Sequence, residues 1–238
     1  MQFLIGILGY IKAYYGIVEA QGRGSLHFHG MFWTWGFIDP KKFKLKLNDE
    51  RFIEDFQIDF DSIIKCDFDD FQSSESESYF QNTDEVDTLH PCCTSWDYID
   101  TDNINDDVIK LFKQDIIDIG MSSVIHKCNG ACYKNFKHNG CRMGFGYDNE
   151  GKQLVEKTSI DKLTGEICIK RNHTHVSDFN PLMMVGFRSN HNIQFLGTSN
   201  DECLKRIYYL TNYVTKNGIS SYQAVYFASC DNNKMVYA

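Results

Sequence analysis

The sequence predicts an α+β domain in which an early antiparallel β-hairpin and a late amphipathic helix carry the chemistry. Three observations lead there. An apolar run at 14–20 and an aromatic-rich run at 26–35 flank a glycine-rich turn. The triplet His27-Phe28-His29 lies in the second run. A tyrosine pair, Tyr209 and Tyr213, stands at helical spacing near the end. Strand side chains alternate with period two, so histidines two residues apart share a face and can grip one metal ion. Residues four apart on a helix also share a face. A metal pair on a strand with a tyrosine pair on a helix is what nicking a nucleic-acid strand through a covalent phosphotyrosine requires.

The hairpin rests on the turn Gln21-Gly22-Arg23-Gly24-Ser25, whose two glycines are free to take positive φ. Residues 39–107 differ in composition. Phenylalanine and isoleucine are interspersed with acids, as in Phe56-Gln57-Ile58-Asp59-Phe60-Asp61, and Ser73-Ser74-Glu75-Ser76-Glu77-Ser78 is low-complexity. This block reads as a surface insertion, partly disordered, in an otherwise single domain. A helix is expected over 105–119. A cysteine-rich stretch at 128–141 follows, then a polar segment with a Thr164-Gly165 turn, and strands are expected at 166–170 and 192–196. The last helix is expected over 200–215, with Asn200 or Asp201 as its cap and Asn217-Gly218 as its stop.

With 42% apolar residues in 238, the chain can bury a sizeable core. The apolar start, 2–10, is too short for a membrane span, and no small-residue cleavage site follows it. An intracellular, nuclear protein is the expectation. Nine cysteines in such a chain point to metal binding or free thiols rather than disulfides. The net charge of −8 is unfavourable for a nucleic-acid protein, but it is unevenly spread. Residues 39–107 hold 20 acidic and 6 basic residues, and the rest holds 12 and 18. The segments carrying the candidate chemistry are therefore basic, and local charge is what steers a polyanion.

His27 and His29 need a further ligand. Glu19 and Gln21 have the right strand parity, and a turn centred on Arg23 sets Glu19 opposite His27. Glu19 brings the charge; Gln21 is the alternative. Two imidazoles and a carboxylate suit Mg²⁺ or Mn²⁺ and leave positions for a phosphate oxygen. The competing reading is two histidines in a half-buried strand without a metal. A histidine-triad hydrolase would need a third histidine where Met31 stands.

On a helix, Leu204, Ile207, Leu210 and Val214 form an apolar stripe expected to face the core. Lys205, Tyr209, Tyr213 and Lys216 form a second, nearly opposite stripe, and Tyr208 between them is expected to pack. Tyrosine, with a pKa of about 10, needs help from a cation or base to become a nucleophile, and the lysines can supply it. The competing reading is two amphipathic tyrosines on a half-exposed helix.

Cys128, Cys132, His138 and Cys141 have spacings near those of structural zinc sites, with His126 able to replace His138. The competing reading is free thiols in a turn. Lys127, Lys134, Lys137 and Arg142 interleave there with Tyr133 and Phe136, a mixture suited to single-stranded DNA. His90 with Cys92 and Cys93 forms a smaller group. His173 and His175 repeat the His-x-His spacing in polar surroundings where a metal is less expected.

The joint pattern resembles the replication-initiator domain of Helitron transposons, the Helitron helicase-like domain. The resemblance is carried by Glu19-Ala20-Gln21-Gly22-Arg23-Gly24-Ser25-Leu26-His27-Phe28-His29 with Trp33, and by Cys141-Arg142-Met143-Gly144-Phe145. Asn180-Pro181, Asn190-His191-Asn192-Ile193-Gln194 and Tyr209-Leu210-Thr211-Asn212-Tyr213-Val214-Thr215-Lys216 continue it in family order. It implies an HUH endonuclease fold, with a central antiparallel sheet carrying the histidines and a tyrosine helix beside it. It implies rolling-circle transposition on single-stranded DNA at transposon ends. One tyrosine would form a 5′-phosphotyrosine and free a 3′-hydroxyl, and the second would serve strand transfer. His27 and His29 carry over as ligands, and Tyr209 and Tyr213 as nucleophiles.

The chain departs from the family in its acidic block, in starting only a short way before the hairpin, so that upstream strands are expected to be missing, and in having no helicase after it. The segment Gly146-Tyr147-Asp148-Asn149-Glu150-Gly151-Lys152-Gln153 imitates a phosphate loop, but Gln153 replaces the magnesium-binding hydroxyl and two acids would repel phosphate. No ATPase chemistry is expected, and a helicase partner would be encoded separately. Two other classes fit the same residues: an inactive, transposon-derived DNA-binding remnant, and a zinc-stabilised interaction module.

Overall fold

The computed structural model describes residues 6–20, 26–34, 39–71, 89–95, 103–130, 132–133, 141, 144–145, 151–197 and 201–215, with the side chains of 20, 201–202 and 213–215 outside the description. The chain is mixed α+β and divides into two compact units. The first comprises residues 1–49, 161–166 and 195–238; the second comprises 50–160 and 167–194.

The first unit is built on a two-stranded antiparallel ribbon. Strand β1 (Ile11–Ala20) pairs with β2 (Leu26–Thr34) in a register that sets Glu19 against His27, Ile17 against His29 and Tyr15 against Met31. Directly paired residues lie on the same face, so the odd-numbered side chains share one side. On that side His29 and Met31 are buried. The even-numbered side carries Tyr14, Val18, Leu26, Phe28 and Phe32, all exposed. The turn at 21–25 lies outside the described residues.

Helix α1 (Pro40–Lys46) follows. Asp39 caps it by accepting the Lys41 amide at 2.8 Å, and Pro40 occupies the first turn, where no amide partner is needed. Phe43 and Leu47 are buried, and Phe43 meets Phe195 with ring centroids 6.1 Å apart. Helix α5 (Asp201–Thr215) also belongs to this unit. The small residues Cys203 and Thr211 are its buried positions, a spacing of two turns.

The second unit contains an apolar cluster of eight buried residues. Helix α2 (Glu50–Ile63) buries Ile53 and Phe60, with Phe56 stacked between Phe52 and Phe60 along one face. Residues 39–71 of the acidic block are therefore largely helical and supply core side chains, rather than forming a surface insertion. Spacing at 53, 56 and 60 is helical, and the acids occupy the wet face. The serine-rich run lies outside the described residues.

Helix α3 (Asp106–Ser123) begins where expected and runs one turn longer. Asn105 accepts the amides of Asp107 and Val108, and two aspartates in the first turn complement the helix dipole. Its inner face joins Phe68, Ile116, Ile119, Val124, Val176, Phe179, Met184 and Val185 in the core. Gly120 lies against the Phe68 ring, and a Cβ there would come within 2.3 Å of it. This close approach brings α3 onto Phe68, which stacks on Phe179 at 5.2 Å.

Helix α4 (Pro181–Phe187) starts at Asn180, which accepts the Met183 amide at 2.8 Å, donates to the Ile63 carbonyl at 2.7 Å, and gives its own amide to His191 Nε2. One buried side chain thus ties the end of α2 to the start of α4. Strands β3 (Ser159–Ile160) and β4 (Ile167–Cys168) form a minimal hairpin. The strand expected at 192–196 does not form; among its residues, the Ile193 amide donates instead to the Asp178 carbonyl. Beneath these elements Cys66 donates to Asp178 at 2.9 Å, and Arg171 bonds Asp178, the Cys66 sulfur and the Val176 carbonyl. Burial pushes the Cys66 thiol far up, which keeps it a neutral donor.

Two outcomes test this architecture. Arg188, the left-handed C-cap of α4 (φ 47°), makes a two-pronged pair with Asp115 at 2.7 and 2.9 Å and also bonds the Pro91 carbonyl. Glycine there would relieve roughly 1 kcal/mol of strain, while removing one partner of a buried ion pair costs about 3–5 kcal/mol. Arg188→Gly should therefore lower unfolding stability by about 2–4 kcal/mol in urea titrations. Separately, burial lowers the pKa of His191, which acts as a neutral acceptor. The unfolded chain then binds more protons below about pH 6.5, so stability falls as pH drops through that region. His191→Gln, which keeps an acceptor, should flatten that part of the slope.

Candidate functional site

The ribbon puts three of the expected ligands on one face. Glu19 is the direct cross-strand partner of His27, and its carboxylate Oε2 lies 3.6 Å from His29 Nε2. The two histidine rings stand 4.5 Å apart between centroids and tilted by 54°. His29 is buried, Glu19 is half-buried and His27 is exposed. Of the two third-ligand candidates, the described structure accounts for Glu19; Gln21 lies outside the described residues. The donor set suits a hard divalent cation.

Helix α5 brings Tyr209 to the same face. Its ring meets the His29 ring edge-on, with centroids 6.0 Å apart and an interplanar angle of 71°. Half of Tyr209 remains exposed, at 53%, so the ring is anchored while part of it stays in solvent. Tyr213 follows one helical turn later in the chain; its side chain and Lys216 lie outside the described residues. The inner face of α5 is rotated from the expected stripe. Leu204 is exposed, Ile207 and Leu210 are half-buried, and Cys203 and Thr211 are the residues that disappear. Tyr208, expected to pack, is as exposed as Tyr209.

A second site lies in the other unit. After α3, the Ile125–Val176 bridge and the bond from the His126 amide to the His175 carbonyl fix the start of an irregular segment. Cys132 is set by a turn to Asn129, and Cys141 by a turn to Gly144, which has φ 79°. His126 Nε2 then lies 3.3 Å from Cys128 Sγ, 3.5 Å from Cys132 Sγ and 3.2 Å from Cys141 Sγ. All four donor atoms fall within 4.8 Å of one another, and among the described residues this is the histidine, cysteine or carboxylate group gathered so closely. The cluster could hold a metal ion. Its histidine is His126; His138 lies outside the described residues. Burial lowers the pKa of His126, favouring the neutral ring that a ligand needs. Phe145, a residue that metal-ligand spacing alone does not reveal, stacks on His126 at 4.4 Å and 9°. The Glu19, His27 and His29 trio is less tightly gathered than this centre.

The remaining histidines have local duties. His90 Nδ1 accepts the Cys92 amide at the start of a short 3-10 turn. His173 Nδ1 accepts the His175 amide, and His175 faces the far side of the Phe145 stack. Lys152, the lysine of the false phosphate loop, lies 4.9 Å from the Phe145 centroid and 3.8 Å from Asp178. It is committed to the interior of its own unit. No helix among the described residues is long and apolar enough to cross a membrane.

No family model, curated protein or solved structure matches the chain.

Proposed function

We propose that the first unit is a metal-dependent DNA-nicking and strand-transfer centre of the Helitron type, with an HUH endonuclease-like arrangement. The observation that carries this reading is the meeting of Tyr209 with His29 on the ribbon face that also bears Glu19 and His27. Two sequence motifs almost the whole chain apart converge on one spot, and each supplies what the other lacks.

His27, His29 and Glu19 would hold Mg²⁺ or Mn²⁺, which when bound neutralises phosphate charge and polarises the phosphorus. The Tyr209 hydroxyl attacks that phosphorus as its proton leaves to solvent. A tyrosyl O–P bond forms, the P–O3′ bond breaks, and the 3′ oxygen departs as a hydroxyl after protonation. Lys205 and Lys216 would offset charge developing on the tyrosine oxygen. Tyr213, four residues further along, would serve the transfer step. Single-stranded DNA is the fitting substrate. In the same unit the exposed Lys41, Lys42 and Lys46 of α1 surround the buried Phe43 and Leu47 and suit contacts with a phosphate backbone. Helicase action would come from a separately encoded partner. Beside the hard cation, Zn²⁺ is the ion we assign to the thiol centre.

Purified protein, Mn²⁺ and single-stranded DNA labelled at either end, resolved on denaturing gels, should give an adduct retaining only the 3′-end label. Tyr209→Phe and His27→Ala should each abolish it with folding intact, and Tyr208→Phe should leave it. Glu19→Ala should weaken Mn²⁺ dependence more than about 10-fold, the least that loss of even an outer-sphere partner costs. Folded protein giving no adduct on diverse sequences would leave the inactive DNA-binding remnant as the reading.

A further inference from the structure

We infer that His126, Cys128, Cys132 and Cys141 form a closed structural zinc centre that holds the segment after α3 in the second unit. The argument is independent of the nicking chemistry, which belongs to the other unit.

Geometry comes first. Tetrahedral zinc with Zn–N near 2.05 Å and Zn–S near 2.3 Å requires nitrogen and sulfur to be about 3.6 Å apart. The three measured separations from His126 Nε2 are 3.3, 3.5 and 3.2 Å. One ring nitrogen thus faces three sulfurs at nearly one distance. A disulfide would engage two of these sulfurs, strand the third and leave the imidazole without a reason to point at them. Four protein donors also complete the coordination of zinc and leave no open position, which marks a structural rather than a hydrolytic site.

Packing comes second. The imidazole is held by the Phe145 stack, and the His126 amide bond to the His175 carbonyl fixes the backbone that carries it. Cys132 and Cys141 are buried with Phe145. Three thiolates and one divalent cation leave a net negative charge, and the Lys152 ammonium sits on the Phe145 ring beside it. The described residues of 126–145 contain no helix or strand, so little else compensates the entropy of ordering them. Metal binding supplies that free energy directly.

The test uses the full chain in a His27→Ala/His29→Ala background, which removes the first unit's ligands. After purification and dialysis, metal analysis should find one zinc per chain. Replacement by Co²⁺ should give the intense visible bands of a tetrahedral site and a thiolate charge-transfer band. Cys132→Ser should lose the metal. His126→Cys should keep it and strengthen the charge-transfer band, and His138→Ala should change neither. Chelation should lower the thermal midpoint. Reduced protein that binds no zinc or cobalt would overturn the assignment, as would loss of the ion in His138→Ala with retention in His126→Ala.

Discussion

The candidate nicking centre depends on cross-strand parity. Because Glu19 pairs with His27, the carboxylate and both imidazoles must lie on one face of the ribbon. That face is also where α5 delivers Tyr209. A slip of one residue would send the carboxylate to the side occupied by Tyr14, Phe28 and Phe32. Pairing two strands therefore does more to gather these side chains than any single contact. The even-numbered glycines contribute as well. Gly16 and Gly30 make room for the Phe28 ring, which a Cβ at Gly30 would meet at 2.4 Å.

The second unit solves a different problem. Its helices come from distant parts of the chain, and polar side chains with several bonds each knit them together. Asn180 serves α2 and α4, Arg188 links α4 to α3 and the Pro91 turn, and Arg171 satisfies Asp178, Cys66 and a carbonyl at once. Buried polar groups are costly unless fully bonded. The several bonds made by Asn180, Arg188 and Arg171 make the arrangement specific as well as stable.

The hairpin, α3 and α5 were legible because each announces itself locally: alternation around a glycine turn, an asparagine cap before two aspartates, and a tyrosine pair at helical spacing. The choice of Glu19 as the partner of His27 followed from counting residues about Arg23. Helices α1 and α2 were hidden by composition. Their acids and lysines dominated the reading, although Ile53, Phe56 and Phe60 already spelled a helical face. The thiol centre was half visible. Its cysteines stand out, but whether His126 or His138 joins them depends on how α3 ends and where residue 176 bridges back, which sequence spacing does not encode. The inner face of α5 is not the one hydrophobicity alone picks out, since Leu204 is exposed while Cys203 is buried.

Charge divides along the same line as the fold. The unit bearing the histidines and Tyr209 contains 11 basic and 8 acidic residues; the other contains 13 and 24. The lysines of α1, embedded in sequence within the acidic stretch, belong to the cationic unit. An overall formal charge of −8 therefore averages two bodies of opposite sign. Isoelectric focusing reports the average, whereas a polyanion within a Debye length samples one body at a time. Such a chain can be retained by anion and cation exchangers alike, because each resin meets a unit of the opposite sign.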